Sequence, residues 1–165
     1  MALPNGTTIT LAQIQAEFGG ANPISLTEYY KGGAYVRSFD YAPNVMVAGS
    51  ISLSNFWNAY RAATLTVALS GSVSDGYFAR GSGTGACTPS ITATPSGGVG
   101  PYSYAWGYAS GDTSFTMSGG TSATCTFRRS IAIVGTWNAI FRCVVTDSLG
   151  QTVTSADVGL SFDVY

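Results

Sequence analysis

A mainly β chain in two parts is what this sequence predicts, and three observations carry the prediction. Near Ala63 short helix-like fragments give way to β-favouring runs divided by Gly, Ser and Asp. About seven such runs follow within roughly a hundred residues, the rhythm of an all-β sandwich. Cys87, Trp106 and Cys143 then fall on the expected second, third and sixth strands. A small N-terminal module of short helices and turns, over 1–62, is therefore expected to precede an immunoglobulin-like β-sandwich over 63–165.

One phrase occurs three times in the N-terminal part: Ile9-Thr10-Leu11-Ala12-Gln13-Ile14, Ile24-Ser25-Leu26-Thr27-Glu28-Tyr29 and Ile51-Ser52-Leu53-Ser54-Asn55-Phe56. A Ser or Thr ahead of an apolar-periodic run accepts a hydrogen bond from an amide of the first helical turn, so each copy predicts a helix start. Ser25 with Glu28 three residues on makes a capping box. Gly19-Gly20 and Gly32-Gly33 supply stops, because glycine takes the left-handed conformation that ends a helix. About sixty residues is near the lower limit for a self-sufficient core. Many of the apolar residues here are aromatic, so part of this surface is expected to need a partner, with Tyr29, Tyr30, Tyr35, Phe56 and Trp57 as the docking residues.

The run from Ile9 to Gly20, the run Asn22 to Val36 with Tyr29-Tyr30-Lys31-Gly32-Gly33 at its centre, and Gly49-Ser50-Ile51-Ser52-Leu53-Ser54-Asn55-Phe56 together resemble a segment of virion proteins of tailed bacteriophages. The resemblance covers about the first third of the chain. It implies a structural protein of the particle, tail-associated as an appendage, fibre base or adaptor, with capsid decoration as the second location. The implied partners are other virion proteins and further copies of the same chain. The copy at Ile51 departs from the pattern by running into Trp57-Asn58-Ala59-Tyr60 without a glycine stop.

The second part reads as strands in order. Thr64 to Leu69 places Leu65, Val67 and Leu69 on one face. Gly71 to Gly85 is rich in Gly and Ser, and holds Tyr77 and Phe78 in a loop or a short edge strand. Cys87 to Thr94, Tyr102 to Tyr108, Phe115 to Met117, Ala123 to Phe127, Trp137 to Thr146 and Thr152 to Phe162 follow, with Asp147-Ser148-Leu149-Gly150 as a hairpin turn. Gly97-Gly98-Val99-Gly100-Pro101-Tyr102-Ser103-Tyr104-Ala105-Trp106 and Val144-Val145-Thr146-Asp147-Ser148-Leu149-Gly150 resemble the polycystic-kidney-disease type of immunoglobulin-like module. Cys87 and Cys143 are expected to face each other as reduced core residues, a bridge between them being the alternative.

Composition narrows the chemistry. Charged residues are 9 % of the 165, and apolar residues 45 %. Ordinary soluble proteins carry about 25 % charged residues, so Ser, Thr, Asn and Gly must keep this surface wet. The net charge is -1, and seven basic residues are scattered with only Arg128-Arg129 adjacent, which is read as a solvated strand end. Nucleic-acid binding needs a clustered basic face, and none is visible. No run approaches the length of a membrane span, and Met1-Ala2-Leu3-Pro4-Asn5-Gly6 lacks the pattern of a secretion signal. A protein made in the host cytoplasm and carried on the virion is expected, with three free thiols.

Histidine is absent, which removes imidazole bases, Ser-His-Asp and Cys-His nucleophiles and His-containing zinc sites together. No cofactor or metal is expected, and no enzyme. The glycines of Gly81-Ser82-Gly83-Thr84-Gly85 lack the Lys and helix start of a phosphate loop. Tyr102, Tyr104, Trp106 and Tyr108 alternate as core residues do, with a ligand role left only to the outer ends. Tyr77, Phe78 and Arg80 form the second candidate surface. A host-surface glycan is the ligand such aromatics would take, which makes a carbohydrate-binding adhesion module the alternative function.

Overall fold

The computed structural model describes every residue from Met1 to Tyr165 and divides into two compact units, Met1–Thr64 and Leu65–Tyr165. In the first unit the opening phrase becomes helix α1, Leu11–Phe18. Thr10 caps it reciprocally: the Gln13 amide donates to Thr10 Oγ1 at 3.3 Å, and the Thr10 amide donates to Gln13 Oε1 at 2.7 Å. Gly19, at φ 85°, ends it by donating its N–H to the Gln15 carbonyl.

The second and third phrases start helices that do not continue. Each makes a single 3-10 turn, Leu26–Glu28 and Leu53–Phe56, with Ser25 and Ser52 in the capping position. Their amides donate to the side chains of Glu28 and Asn55. A first helical turn fixes several residues for one hydrogen bond and is repaid only by further turns. Here the chain leaves through extended backbone at Trp57 and a left-handed Asn58, so no further turn forms.

This unit closes its own core, contrary to the expectation drawn from its length. Ile9, Ile14, Phe18, Tyr29, Val36, Val45, Phe56 and Ala59 form one buried cluster. Phe56 holds it together, with its ring 6.2 Å from those of both Phe18 and Tyr29. A buried carboxylate supplies what helices do not. Asp40 is 1 % exposed and accepts from the Arg37 amide at 2.8 Å, from Arg37 Nη2 at 2.7 Å and from the Ala62 amide at 3.1 Å. Arg37 in turn donates to the Ala62 carbonyl, so the 37–40 turn is tied to the end of the unit at one point.

The second unit has ten strands: β1 Thr66–Leu69, β2 Val73–Phe78, β3 Thr84–Ala86, β4 Ile91–Ser96, β5 Ser103–Gly111, β6 Thr116–Ser118, β7 Thr124–Ser130, β8 Gly135–Thr146, β9 Thr152–Thr154 and β10 Val158–Val164. One sheet runs β1-β4-β7-β3 with β6 on β7, and the other runs β2-β10-β8-β5 with β9 on β8. The chain's entry is split between them: β1 pairs antiparallel with β4, then β2 crosses to pair in parallel with β10. The last expected strand is in fact two, because β8 meets Ser155 at the break. There the Cys143 amide donates to Ser155 Oγ at 3.0 Å.

Alternation places Trp106, Phe127, Phe141, Cys143, Val145, Leu160 and Phe162 between the sheets. Trp106 stands opposite Cys143 in the β5–β8 ladder and donates from Nε1 to the Ser122 carbonyl at 3.0 Å. The β8–β9 hairpin is fixed by Asp147, which is buried and accepts from the amides of Val99, Leu149 and Gln151 and from Gln151 Nε2.

The cysteines are reduced core residues, and only the strand expected to start at Cys87 shifts. All three are buried free thiols of one core, Cys125 on β7 and Cys143 on β8. Cys87 lies just after β3, where its amide donates to the Phe127 carbonyl on β7 at 2.7 Å. The strand that the Cys87 reading needed begins at Ile91, four residues later.

Candidate functional site

In the first unit the expected docking aromatics divide. Tyr29 and Phe56 are fully buried in the unit's own core and cannot meet a partner, which corrects that part of the expectation. Burial comes from packing on α1 and from the Tyr29 hydroxyl, which donates to the Gly19 carbonyl at 2.8 Å. Tyr35 is half-buried beside Tyr29, and Trp57 is half-buried with its Nε1 donating to the Thr7 carbonyl. Tyr30 is half-buried and its hydroxyl donates to the Gly49 carbonyl.

What this unit does expose was missed in the sequence. Met46 is 47 % exposed and Val47 77 %, on the segment that Tyr30 holds at its far end. The Lys31 amide donates to the Met46 carbonyl at 2.9 Å, so the segment is fixed at two points. Tyr41, 38 % exposed, stacks on Tyr60 with ring centres 5.0 Å apart. The signal was present as the apolar run Val45-Met46-Val47, which lies outside the repeated phrase.

In the second unit Tyr77 and Phe78 lie on strand β2 and not on a loop, so their side chains point opposite ways. Phe78 turns inward and stacks on Phe162 at 4.9 Å, over Gly76 and Gly85, where a Cβ would fall within 3.0 Å of its ring. It is not part of a ligand surface, which corrects that assignment. Tyr77 turns outward and is 66 % exposed. Arg80 is exposed at the strand's end, where its Nε donates to the Ala132 carbonyl. Of the aromatic row, Trp106 is buried, Tyr102 and Tyr104 are half-buried, and Tyr108 is exposed with its hydroxyl on the Gly111 carbonyl.

The arginine pair also separates. Arg128 is exposed, but Arg129 points inward, 3.9 Å above the Trp137 ring, and makes a 2.8 Å ion pair with Asp112. Its Nε is buried without a partner. Hydrogen bonds from Ser114, then the Arg129 charge, hold the Asp112 carboxyl below its usual range. Burial pushes the Cys87 and Cys125 thiols up to about 11, so neither is a nucleophile.

The carboxylates are nearly all committed to structure. Glu17 accepts from the Met1 amino group and the Arg61 amide, and Glu28 and Asp40 from the amides named above. Asp112, Asp147, Asp157 and Asp163 accept from Arg129, the β8–β9 turn, Arg142 and Thr136. Asp75 alone has a carboxylate with no hydrogen bond inside the chain. A hollow of about 290 Å³ lined by Met1, Leu3, Gln13 and Glu17 holds no second titratable side chain besides Glu17.

These strand pairings define the class of the second unit. One sheet carries the first, second, fifth and fourth Ig positions as β1, β3/β4, β7 and β6, and the other carries β2, β9/β10, β8 and β5, with Trp106 on the third position. It is an immunoglobulin-like β-sandwich, an architecture shared by many cell-surface domains.

No family model matches the chain, and no curated protein does. Among solved structures it is similar to a nucleoside hydrolase-related hypothetical protein from Saccharophagus degradans associated with carbohydrate metabolism, with a TM-score of 0.42 and 13 % identity over 64 % of this chain and 26 % of that one. Tandem Ig repeats of Dlar align with a TM-score of 0.34 and 14 % identity over 62 % of this chain and 49 % of theirs. The PKD domain of human KIAA0319 aligns with a TM-score of 0.32 and 15 % identity over 62 % of this chain and 81 % of its own. The chain thus spans about a quarter of the first and half of the second.

Proposed function

We propose that the protein is a structural component of a tailed-bacteriophage virion, tail-associated, which docks through its first unit and displays the immunoglobulin-like domain. The observation that carries the docking half is the apolar segment of the first unit. Met46 and Val47 are exposed although the unit has a complete core beneath them, and the Tyr30 and Lys31 contacts hold them in place. An apolar surface that is not needed for folding, and is nevertheless fixed, suits a neighbouring subunit. The resemblance of the first third of the chain to phage virion segments supports another protein of the particle as that neighbour.

The displayed half follows from chemistry that the chain does not assemble. Seven of the eight carboxylates named above serve local structure, the thiols are buried, and histidine is absent. The role is geometric, and many copies on one particle would turn weak outward contacts into avidity.

Cryo-electron microscopy of the intact particle tests the reading. Density for the chain on the tail or its appendages, with Met46 and Val47 covered by a neighbour, is the expected result. Density spread over the capsid lattice would move the protein to head decoration. Particles that lack the chain would overturn the proposal.

A further inference from the structure

The outer face of the second sheet presents three side-chain rows that strand register fixes. Tyr77, Asp163 and Thr136 form one, on β2, β10 and β8. Asp75, Ser161 and Asn138 form the next, and Val73, Gly159 and Ile140 the third. The Thr136 hydroxyl donates to Asp163 Oδ1 at 2.5 Å, which places both side chains on this face. Rows two residues apart lie about 6.7 Å from each other, and neighbouring strands about 4.8 Å.

The middle row has unused hydrogen-bonding capacity. Asp75 is half-buried and holds the chain's one uncommitted carboxylate, with the Ser161 hydroxyl and the Asn138 amide beside it in register. One row away stands the exposed Tyr77 ring. On the other side Gly159 carries no side chain, which leaves a dip between Val73 and Ile140. A flat aromatic face next to a carboxylate, a hydroxyl and an amide is the set that holds a sugar ring: apolar C–H edges lie on the aromatic, and hydroxyls donate to the carboxylate.

The charge on this face selects among glycans. Asp75 and Asp163 are acidic, and Arg142, further along β8, is ion-paired with Asp157. A sulfated or sialylated chain lying on these rows would meet two carboxylates, with the unpaired Arg80 only beyond the end of β2, its Nε on the Ala132 carbonyl. We propose that Tyr77, Asp75, Ser161 and Asn138 form a binding site for an uncharged saccharide on the outer face of the second sheet. The site does not depend on the particle reading, since it lies wholly within the second unit.

Amide chemical-shift titration of the full-length protein tests it, with cellohexaose, chitohexaose and maltohexaose as uncharged probes and heparin and polysialic acid as charged ones. Shifts confined to β2, β10 and the first half of β8 with at least one uncharged probe are expected. Tyr77→Ala should weaken that binding about tenfold or more, and Asp75→Asn should weaken it while leaving the remaining spectrum unchanged. Because Tyr77 is outward and exposed, its loss should not disturb folding, and Tyr108→Ala serves as the control that retains affinity. The assignment is overturned if no uncharged probe binds, if only the charged probes bind, if the shifts centre on Tyr108 or the loops, or if Tyr77→Ala binds as well as the parent.

Discussion

Replacing Asp147 by Ala should cost the sandwich more than any surface change of similar size. Its carboxylate accepts four hydrogen bonds, from Val99 N at 2.9 Å, Leu149 N at 2.9 Å, Gln151 N at 2.8 Å and Gln151 Nε2 at 3.2 Å. The two from Gln151 are buried, and water cannot replace them, whereas those from Val99 and Leu149 are partly open. A stranded buried donor costs about 1–3 kcal/mol, so two of them together with partial loss at the others come to about 4 kcal/mol. That is a large share of the roughly 5–15 kcal/mol that holds a domain folded. Asp147→Asn should fall between. One oxygen keeps the bonds from Leu149 and Gln151 N, while the new NH2 faces the two donors that Oδ2 received, for a cost of about 2 kcal/mol. Urea unfolding followed by tryptophan fluorescence, in a Trp57→Phe background so that Trp106 and Trp137 report, measures both. If Asp147→Ala unfolds within about 1 kcal/mol of its parent, the reasoning that this carboxylate fixes the hairpin is wrong.

Other expectations follow from the same structure. Gly85→Ala would put a Cβ 2.6 Å from the Phe78 ring, and should lower sandwich stability by about 1–3 kcal/mol in the same urea assay. The three thiols should resist alkylation at neutral pH until the protein unfolds, as a timed mass-spectrometric labelling experiment would show. Cys87 and Cys125 are raised from 9.0 to about 11, so the folded state holds their protons more tightly than the unfolded chain. Their contribution is therefore intact below pH 9 and is lost as pH rises from about 9 to 11, which urea midpoints across that range would reveal. The virion proposal predicts that Met46→Glu with Val47→Asp leaves stability within about 0.5 kcal/mol of the parent yet abolishes incorporation into particles, read by immunoblotting of purified virions.

Most of the strand plan was legible because it is written in alternation and punctuation. Trp137, Ala139, Phe141, Cys143 and Val145 announce β8 unaided, and Asp147 to Gly150 announces its turn. What was not legible depended on partners distant in sequence. β2 has the composition of a loop, Val73-Ser74-Asp75-Gly76-Tyr77-Phe78, and becomes a strand because β10 offers it a ladder of six residue pairs. Once it does, alternation sends Tyr77 out and Phe78 in, a separation that adjacency in sequence conceals. Arg129 looked solvated beside Arg128 for the same reason. Its burial requires the Trp137 ring from β8 and the Asp112 carboxylate from the turn after β5. In the first unit the repeated phrase located all three caps, but propensity did not reveal that Tyr29 and Phe56 would find each other across 27 residues and complete a core.

The exchange of the entering chain from one sheet to the other has a mechanical consequence. β2 and β10 lie side by side and run the same way, so tension applied between the beginning and the end of the domain draws them past each other along their length. Their hydrogen bonds then bear the load together in shear, where an antiparallel pair gripped at one end would open one bond after another like a zipper. Val73 to Phe78 would act as a clasp that must fail as a whole before force reaches Trp106 and the layers behind it. A domain held at one end and tugged at the other would keep its shape up to a threshold and then yield abruptly.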